Sequence, residues 1–298
     1  EEALADLNKA IELEPLYAWG VANRGMTYRL MGRHLEALTD LNRAIELEPD
    51  NDWALVGRGM IYHVLGRDEE ALADFNRAVA LDPEYEWALA SRGTAYRALG
   101  RYDEALADFN RAIELDPDYE WAIAGRGVVY HLSGRYEEAL ADFNRAIELD
   151  PQSAWAIARR GETYQRLGRY EEALADFSRA VELRPRSNWS HYQRSITYRR
   201  LAPNSPWLED LDSAITLATE DYQNTPTNLN NLFNLALYHT ARGDAGPAEA
   251  RYREALALPL NAVAHREAIT DLEQYLALFP DDALAADMRD LLRASPAD

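Results

Sequence analysis

The chain has 298 residues, a net charge of −20 at pH 7 and no cysteine. Its composition is 47% hydrophobic and 28% charged, which is typical of a folded protein and excludes a disordered chain. The missing cysteine excludes disulfides, and the negative charge argues against nucleic acid as the main partner. Because the sequence has no apolar run of membrane-spanning length and no signal peptide, we expect a cytoplasmic protein without a membrane partner.

A tryptophan recurs every 34 residues along most of the chain. The six positions are Trp19, Trp53, Trp87, Trp121, Trp155 and Trp189. A fixed period of this length is the signature of a repeat architecture, in which one supersecondary unit is stacked on the next.

Residues 86–119 show the content of one unit. The first half has an apolar stripe at helical spacing, at Leu89, Gly93, Tyr96 and Leu99. Gly100 breaks this helix. The second half has another stripe, at Ala105, Leu106, Phe109, Ala112 and Ile113, and Pro117 marks its end. Each unit is therefore predicted to be a helix–turn–helix with two faces to bury.

Four further positions recur with the same period. A small residue lies in the first helix at Gly25, Gly59, Gly93, Gly127, Gly161 and Ser195, and a tyrosine at Tyr28, Tyr62, Tyr96, Tyr130, Tyr164 and Tyr198. The second helix repeats an alanine at Ala37, Ala71, Ala105, Ala139 and Ala173, and the unit closes on Pro15, Pro49, Pro83, Pro117, Pro151 and Pro185. This pattern resembles the tetratricopeptide repeat (TPR) family over about residues 1–219. The resemblance implies an all-α, right-handed superhelical solenoid of stacked helix–turn–helix units.

The regularity divides the chain into two predicted parts. Residues 1–219 are the regular array, with a partial first unit at 1–17 and six units from residue 18. Residues 220–298 are a divergent TPR unit followed by C-terminal capping helices, at about 262–278 and 282–293. The Asn-rich stretch from Asn224 to Asn231 predicts a longer loop. Since the chain opens in the middle of a second helix, we expect it to be a piece of a longer protein.

The tryptophans lie opposite the apolar stripe of each first helix. At 100° per residue, Trp87 is about 200° from Leu89, on a face whose other members, such as Ala90, Ser91 and Thr94, are small and leave space beside the ring. In the TPR family this face lines the concave groove where partner peptides bind. The alternative is that each indole only packs on the next unit.

A second column flanks the tryptophans, four residues after each small position. It reads Arg29, His63, Arg97, His131, Gln165 and Arg199. Together with the six tryptophans, the five basic members form the predicted partner-binding groove, which suits an acidic segment of a protein or peptide. The alternative is that these side chains bond to carboxylates near them in the chain.

A third pattern predicts structural ion pairs. Arginine precedes the small position at Arg24, Arg58, Arg92, Arg126, Arg160 and Arg194, and aspartate recurs in the second helix at Asp40, Asp74, Asp108, Asp142, Asp176 and Asp210. In the divergent unit Leu235 and Arg251 replace both members together. We therefore expect pairs such as Arg92 with Asp108 and Arg126 with Asp142, within about 4 Å of each other.

No motif indicates catalysis, a cofactor or a metal. The Gly-Arg-Gly segments at 57–59 and 125–127 lie inside predicted helices, without the preceding strand of a dinucleotide loop. The six histidines are scattered, without metal-ligand spacing. The chain is predicted not to be an enzyme.

The sequence favours a scaffold for protein–protein interaction that binds a peptide or protein segment in its groove. Three alternatives remain. The repeat style also resembles arrays in large bacterial signal-transducing ATPases, where the repeats are the sensor. The array ends or the tryptophans could instead dock on a second copy, giving a homo-oligomer. RNA binding by helical repeats is opposed by the negative charge.

Overall fold

A computed structural model of the chain describes residues 2–258 and 262–295. Every regular element in these ranges is an α-helix, and there are 17 of them. The helices form two compact units, one ending at Arg135 and one beginning at Tyr136. The predicted all-α class of paired helices is confirmed.

The first unit holds three helical hairpins and two further helices. Its elements are α1 (Glu2–Leu13), α2 (Ala18–Leu30), α3 (His34–Leu47), α4 (Asp52–Val64), α5 (Asp68–Leu81), α6 (Glu86–Ala98), α7 (Tyr102–Leu115) and α8 (Glu120–Leu132). Helix α2 pairs with α3, α4 with α5, and α6 with α7. The even-numbered helices, which carry the tryptophans, also pack on one another.

A glycine in the left-handed region ends the first helix of each hairpin. Gly32, Gly66 and Gly100 have φ of 72°, 71° and 74°. Only glycine adopts this conformation without strain, so it terminates the helix and lets the chain reverse within a few residues. The arginine that follows stacks on the tyrosine of the preceding helix, as Arg101 does over Tyr96 at 4.4 Å.

The predicted stripes form the core of the first unit. Leu89, Ala105, Phe109 and Ala112 are buried. A Cβ atom added to Gly93 would lie 3.2 Å from the Phe109 ring. The small residue of each first helix therefore makes room for the aromatic ring of its hairpin partner.

The second unit contains nine helices among its described residues. They are α9 (Tyr136–Leu149), α10 (Ala154–Arg166), α11 (Tyr170–Leu183), α12 (Asn188–Leu201), α13 (Trp207–Asn224), α14 (Leu229–Arg242), α15 (Ala245–Leu256), α16 (Ala262–Leu278) and α17 (Ala283–Arg293). The two C-terminal helices lie where the sequence predicts them. The predicted division between residues 219 and 220 falls inside α13 and stays a prediction.

The long loop expected from Asn224 to Asn231 is wrong. Helix α13 continues to Asn224, and α14 begins at Leu229. The Asn228 side chain accepts hydrogen bonds from the backbone N–H groups of Asn230 and Asn231, at 3.0 and 3.3 Å. An asparagine that caps a helix satisfies its free N–H groups, so the residue type here starts a helix rather than extends a loop.

Helix α16 lies against the first helices of the second unit. It packs on α14 and α17, and its Leu272 and Tyr275 belong to the same buried core as Tyr192 of α12 and Tyr238 of α14. Helix α17 packs on α14 and α15. The C-terminal segment thus adds to the core of this unit and also covers part of its tryptophan-bearing face.

Candidate partner-binding surface

The first unit carries four of the six tryptophans. The Trp19 side chain is 58% exposed and that of Trp53 is 38% exposed, whereas Trp87 and Trp121 are half-buried. Trp53 and Trp87 contact each other, with ring centroids 4.9 Å apart. These four residues, here called the tryptophan ladder, are therefore both packed on their neighbours and partly open to solvent.

Tyrosines two positions earlier support the ladder. The Tyr85 ring meets Trp87 edge-on at 6.0 Å, and Tyr119 meets Trp121 edge-on at 6.1 Å. Edge-to-face pairs of this kind fix the direction of an indole. Burial raises the pKa of Tyr85 and Tyr119 above the ordinary value, so both stay neutral hydroxyls.

The small residues beside the ladder do not leave space for a partner, contrary to the expectation from sequence. Ala90 and Ser91 are buried, and so is Gly57. A Cβ atom on Gly57 would lie 2.4 Å from Met26 Sδ of the preceding first helix. The small residues allow neighbouring first helices to approach closely, so they serve packing.

The basic column of the first unit is half-buried. The Nε of Arg29 is buried and has no hydrogen-bond partner, and burial lowers the pKa of this guanidinium, which nevertheless stays charged. His63 pairs with Asp68 through Nδ1. Arg97 and His131 are half-buried and have interactions of their own. An unsatisfied, positively charged donor at Arg29 suits an incoming carboxylate.

The second unit carries Trp155 and Trp189 in different surroundings. Trp155 is 41% exposed, with the Arg159 guanidinium 5.7 Å from its ring centre. Trp189 is partly buried, and its Nε1 donates a 2.7 Å hydrogen bond to Glu162. Arg159 donates to the other oxygen of Glu162 at 2.8 Å.

The chain itself occupies the basic position of α12. Arg199 donates hydrogen bonds to the hydroxyl of Tyr275 and, at 3.2 Å, to the carbonyl of Ala241. It also lies 3.9 Å from the Asp282 carboxylate and 4.3 Å from the centre of the Phe279 ring. An aromatic residue and a carboxylate of the C-terminal segment thus bind an arginine of the predicted groove.

The predicted arginine–aspartate pairs are bidentate in the described parts of each unit. Arg92 donates from Nε and Nη2 to the two oxygens of Asp108, both at 2.7 Å. The same geometry recurs at Arg24 with Asp40, Arg58 with Asp74, Arg160 with Asp176 and Arg194 with Asp210. Arg126 and Asp142 belong to different compact units, and their pairing stays a prediction.

A third member of these clusters is an asparagine that the sequence analysis missed. The Nη1 of Arg92 donates to Asn76 Oδ1 at 3.1 Å, and the same bond recurs from Arg24 to Asn8, Arg58 to Asn42, Arg126 to Asn110 and Arg160 to Asn144. Each arginine therefore joins the second helices of two consecutive hairpins. The asparagines recur every 34 residues, so the signal was present in the sequence.

Two searches for other kinds of site give no candidate in the described ranges. No group of three or more His, Cys, Asp or Glu residues within 2–258 and 262–295 is arranged to hold a metal ion. None of the described helices is both long and apolar enough to cross a membrane.

Comparison with protein families identifies the repeat. Models described as TPR repeat or tetratricopeptide repeat match residues 16–84, 93–134, 127–168 and 154–187. The chain belongs to the tetratricopeptide repeat family. Among curated proteins, none matches this TPR chain.

Solved structures with a similar fold are also TPR proteins. TTC0263 from Thermus thermophilus is 26% identical with a TM-score of 0.55, covering 60% of this chain and 98% of its own. A tetratricopeptide repeat protein from Parabacteroides merdae is 19% identical with a TM-score of 0.58, covering 87% and 98%. The Cut9–Hcn1 hetero-tetramer of the APC/C matches at 16% identity and a TM-score of 0.63, covering 97% of this chain and 52% of that chain. The last two likenesses concern the fold alone.

Proposed function

We propose that this TPR protein is a non-catalytic scaffold whose first unit binds an acidic protein or peptide segment along the tryptophan ladder. The observation that carries the proposal is the combination of two exposed indoles, Trp19 and Trp53, with the unsatisfied guanidinium of Arg29. Tryptophan and arginine are the residues that most often dominate binding energy at protein interfaces.

The second unit supports the chemistry assigned to the partner. Arg199 occupies the same repeat position as Arg29, and it is bound by the hydroxyl of Tyr275 and lies 3.9 Å from the carboxylate of Asp282. A partner with an acidic residue close to an aromatic one would satisfy Arg29 in the same way. The net charge of −20 opposes a nucleic acid at this surface.

Selection from a displayed library of random peptides tests this function. We expect the selected peptides to be rich in Asp, Glu and aromatic residues. Trp53→Ala and Arg29→Ala should each weaken binding roughly tenfold or more, as hot-spot residues do.

Matched variants in the first unit control for loss of fold. Leu35→Ala removes an equally exposed apolar side chain from α3, and Arg77→Ala removes an exposed arginine from α5. Both should bind within roughly twofold of the parent, because they lie outside the ladder. Peptides without acidic residues, or unchanged binding by Trp53→Ala, would contradict the proposal.

A further inference from the structure

A cavity lies in the second unit where α16 crosses α10 and α12. Its volume is about 290 Å³, near the lower end for small-molecule sites. Its walls include the aromatic residues Trp189, Tyr192 and Tyr275 and the polar residues Glu162, Gln193 and Asp271. The tryptophan ladder of the first unit contributes no residue to it.

Two oxygen acceptors in this cavity have no donor. Asp271 makes no hydrogen bond or ion pair with any residue in the described ranges, although several other carboxylates of this unit do. Gln193 is only 3% exposed, and its side-chain oxygen has no hydrogen-bond partner. Buried acceptors without a donor are rare and costly, so they indicate a missing group that carries N–H bonds.

The charges around Asp271 leave a positive charge missing. Glu162 and Glu267 add negative charge beside it, and Arg159 and Arg166 add positive charge. Glu162 already accepts from Arg159 at 2.8 Å, so that arginine is engaged. Burial, followed by the charges of Glu162 and Glu267, raises the pKa of Asp271 to about 7.

The aromatic walls also favour a cation. The Nε1 of Trp189 is held by Glu162, which leaves the ring to border the cavity, and Tyr192 is buried beside it. Aromatic faces attract an ammonium or guanidinium group, most strongly where water is excluded. An anion would face two carboxylates, and a neutral ligand would leave the charge of Asp271 unmatched.

We propose that this cavity binds a small organic cation, a guanidinium or primary ammonium compound, whose N–H groups donate to Asp271 and Gln193. The proposal goes beyond the scaffold function and is independent of it. It concerns residues of the second unit only, so either function can fail without the other.

Isothermal titration calorimetry with n-butylguanidinium tests the site. We expect saturable binding at pH 8, where Asp271 is ionised, and binding weaker by roughly tenfold or more at pH 5.5, where it holds a proton. Two probes of similar size separate charge from shape: n-butylurea is neutral and butyrate is an anion. Neither should bind. n-Butylamine provides the primary ammonium arm.

Variants of the full chain assign the binding to the cavity. Asp271→Asn keeps the shape and removes the charge, so it should abolish the binding of n-butylguanidinium and its pH dependence. Gln193→Leu should weaken binding through the loss of one acceptor. Asp287→Asn changes an exposed aspartate of α17 and should bind like the parent.

Three results would overturn the cation site. They are the absence of binding at millimolar n-butylguanidinium and n-butylamine at pH 8, equal binding by Asp271→Asn, and equal binding of n-butylurea.

Discussion

At the scale of single residues, the unpaired acid of α16 should destabilise the fold at high pH. The pKa of Asp271 is raised from 3.8 to about 7. Between these values the folded chain holds a proton that the unfolded chain has released, so the contribution of this group to stability falls as pH rises from about 4 to about 7. Above pH 7 the folded state contains an unpaired carboxylate.

Asp271→Asn should therefore stabilise the protein at pH 8 and have little effect at pH 5. The expected gain is on the order of 2 kcal/mol at pH 8, because the amide needs no counter-charge. Urea unfolding followed by circular dichroism at both pH values measures it, with Asp287→Asn as the exposed control. Equal stability of parent and variant at pH 8 would contradict the raised pKa.

The arginine of each repeat should matter more than its exposure suggests. Arg92→Ala leaves Asp108, which is 6% exposed, without a counter-charge and leaves Asn76 without a donor. Burial already raises the pKa of Asp108 against the effect of Arg92. We expect a loss of about 2–3 kcal/mol, somewhat below the value of roughly 3–5 kcal/mol for a fully buried pair.

Urea unfolding of three variants tests this role of Arg92. Arg111→Ala is the control, because its pairs with Glu84 and Glu114 are exposed, and it should change stability by no more than about 0.5 kcal/mol. Adding Asp108→Leu to an Arg92→Met variant should recover part of the loss, since no buried charge then remains. If Arg92→Ala and Arg111→Ala cost the same, the cluster is not structural.

At the scale of elements, the start of α14 depends on one side chain. Asn228→Ala removes the acceptor for two backbone N–H groups, so it should lower stability by about 1 kcal/mol. Asn224→Ala, at the exposed end of α13, is the matched control and should be nearly neutral. Thermal unfolding of both variants measures the difference, and an equal effect would show that the cap contributes nothing.

The helices were predictable because the signals that define them are local. Gly100 needs a positive φ, and Leu89 and Phe109 stand at helical spacing, so the hairpin of α6 and α7 follows from a few residues. The same local logic failed at Asn228, where an asparagine count indicated a loop and the helix needed a cap. Residue type alone does not distinguish these two uses.

The candidate site was harder to predict, because it depends on contacts between distant segments. Trp87 and Trp189 occupy the same repeat position, yet Trp87 packs on Trp53 whereas Trp189 bonds to Glu162 and borders a cavity. The difference comes from α16, which lies more than 70 residues further along the chain. Asp271 has no periodic counterpart, so nothing in the repeat pattern marks it.

At the scale of the whole molecule, each compact unit presents its tryptophan-bearing helices differently. In the first unit the most exposed ladder members are Trp19 and Trp53. In the second unit the chain's own α16 supplies Tyr275 to the equivalent face. One repeat sequence therefore supports two kinds of surface, one open to a macromolecular partner and one shaped around a small cavity.

The net charge of −20 should make the stability of the molecule depend on salt in a defined direction. Carboxylates repel one another across the surface, and salt screens exposed charges over roughly 10 Å at 0.1 M while affecting buried pairs less. The temperature of half-unfolding at pH 8 should therefore rise when sodium chloride is added. Near the isoelectric point of about 4.7 the repulsion vanishes, so the same salt should have little effect there. Circular dichroism melts at both pH values test this, and a lower unfolding temperature in salt at pH 8 would mean that exposed ion pairs such as Arg33 with Glu36 outweigh the repulsion.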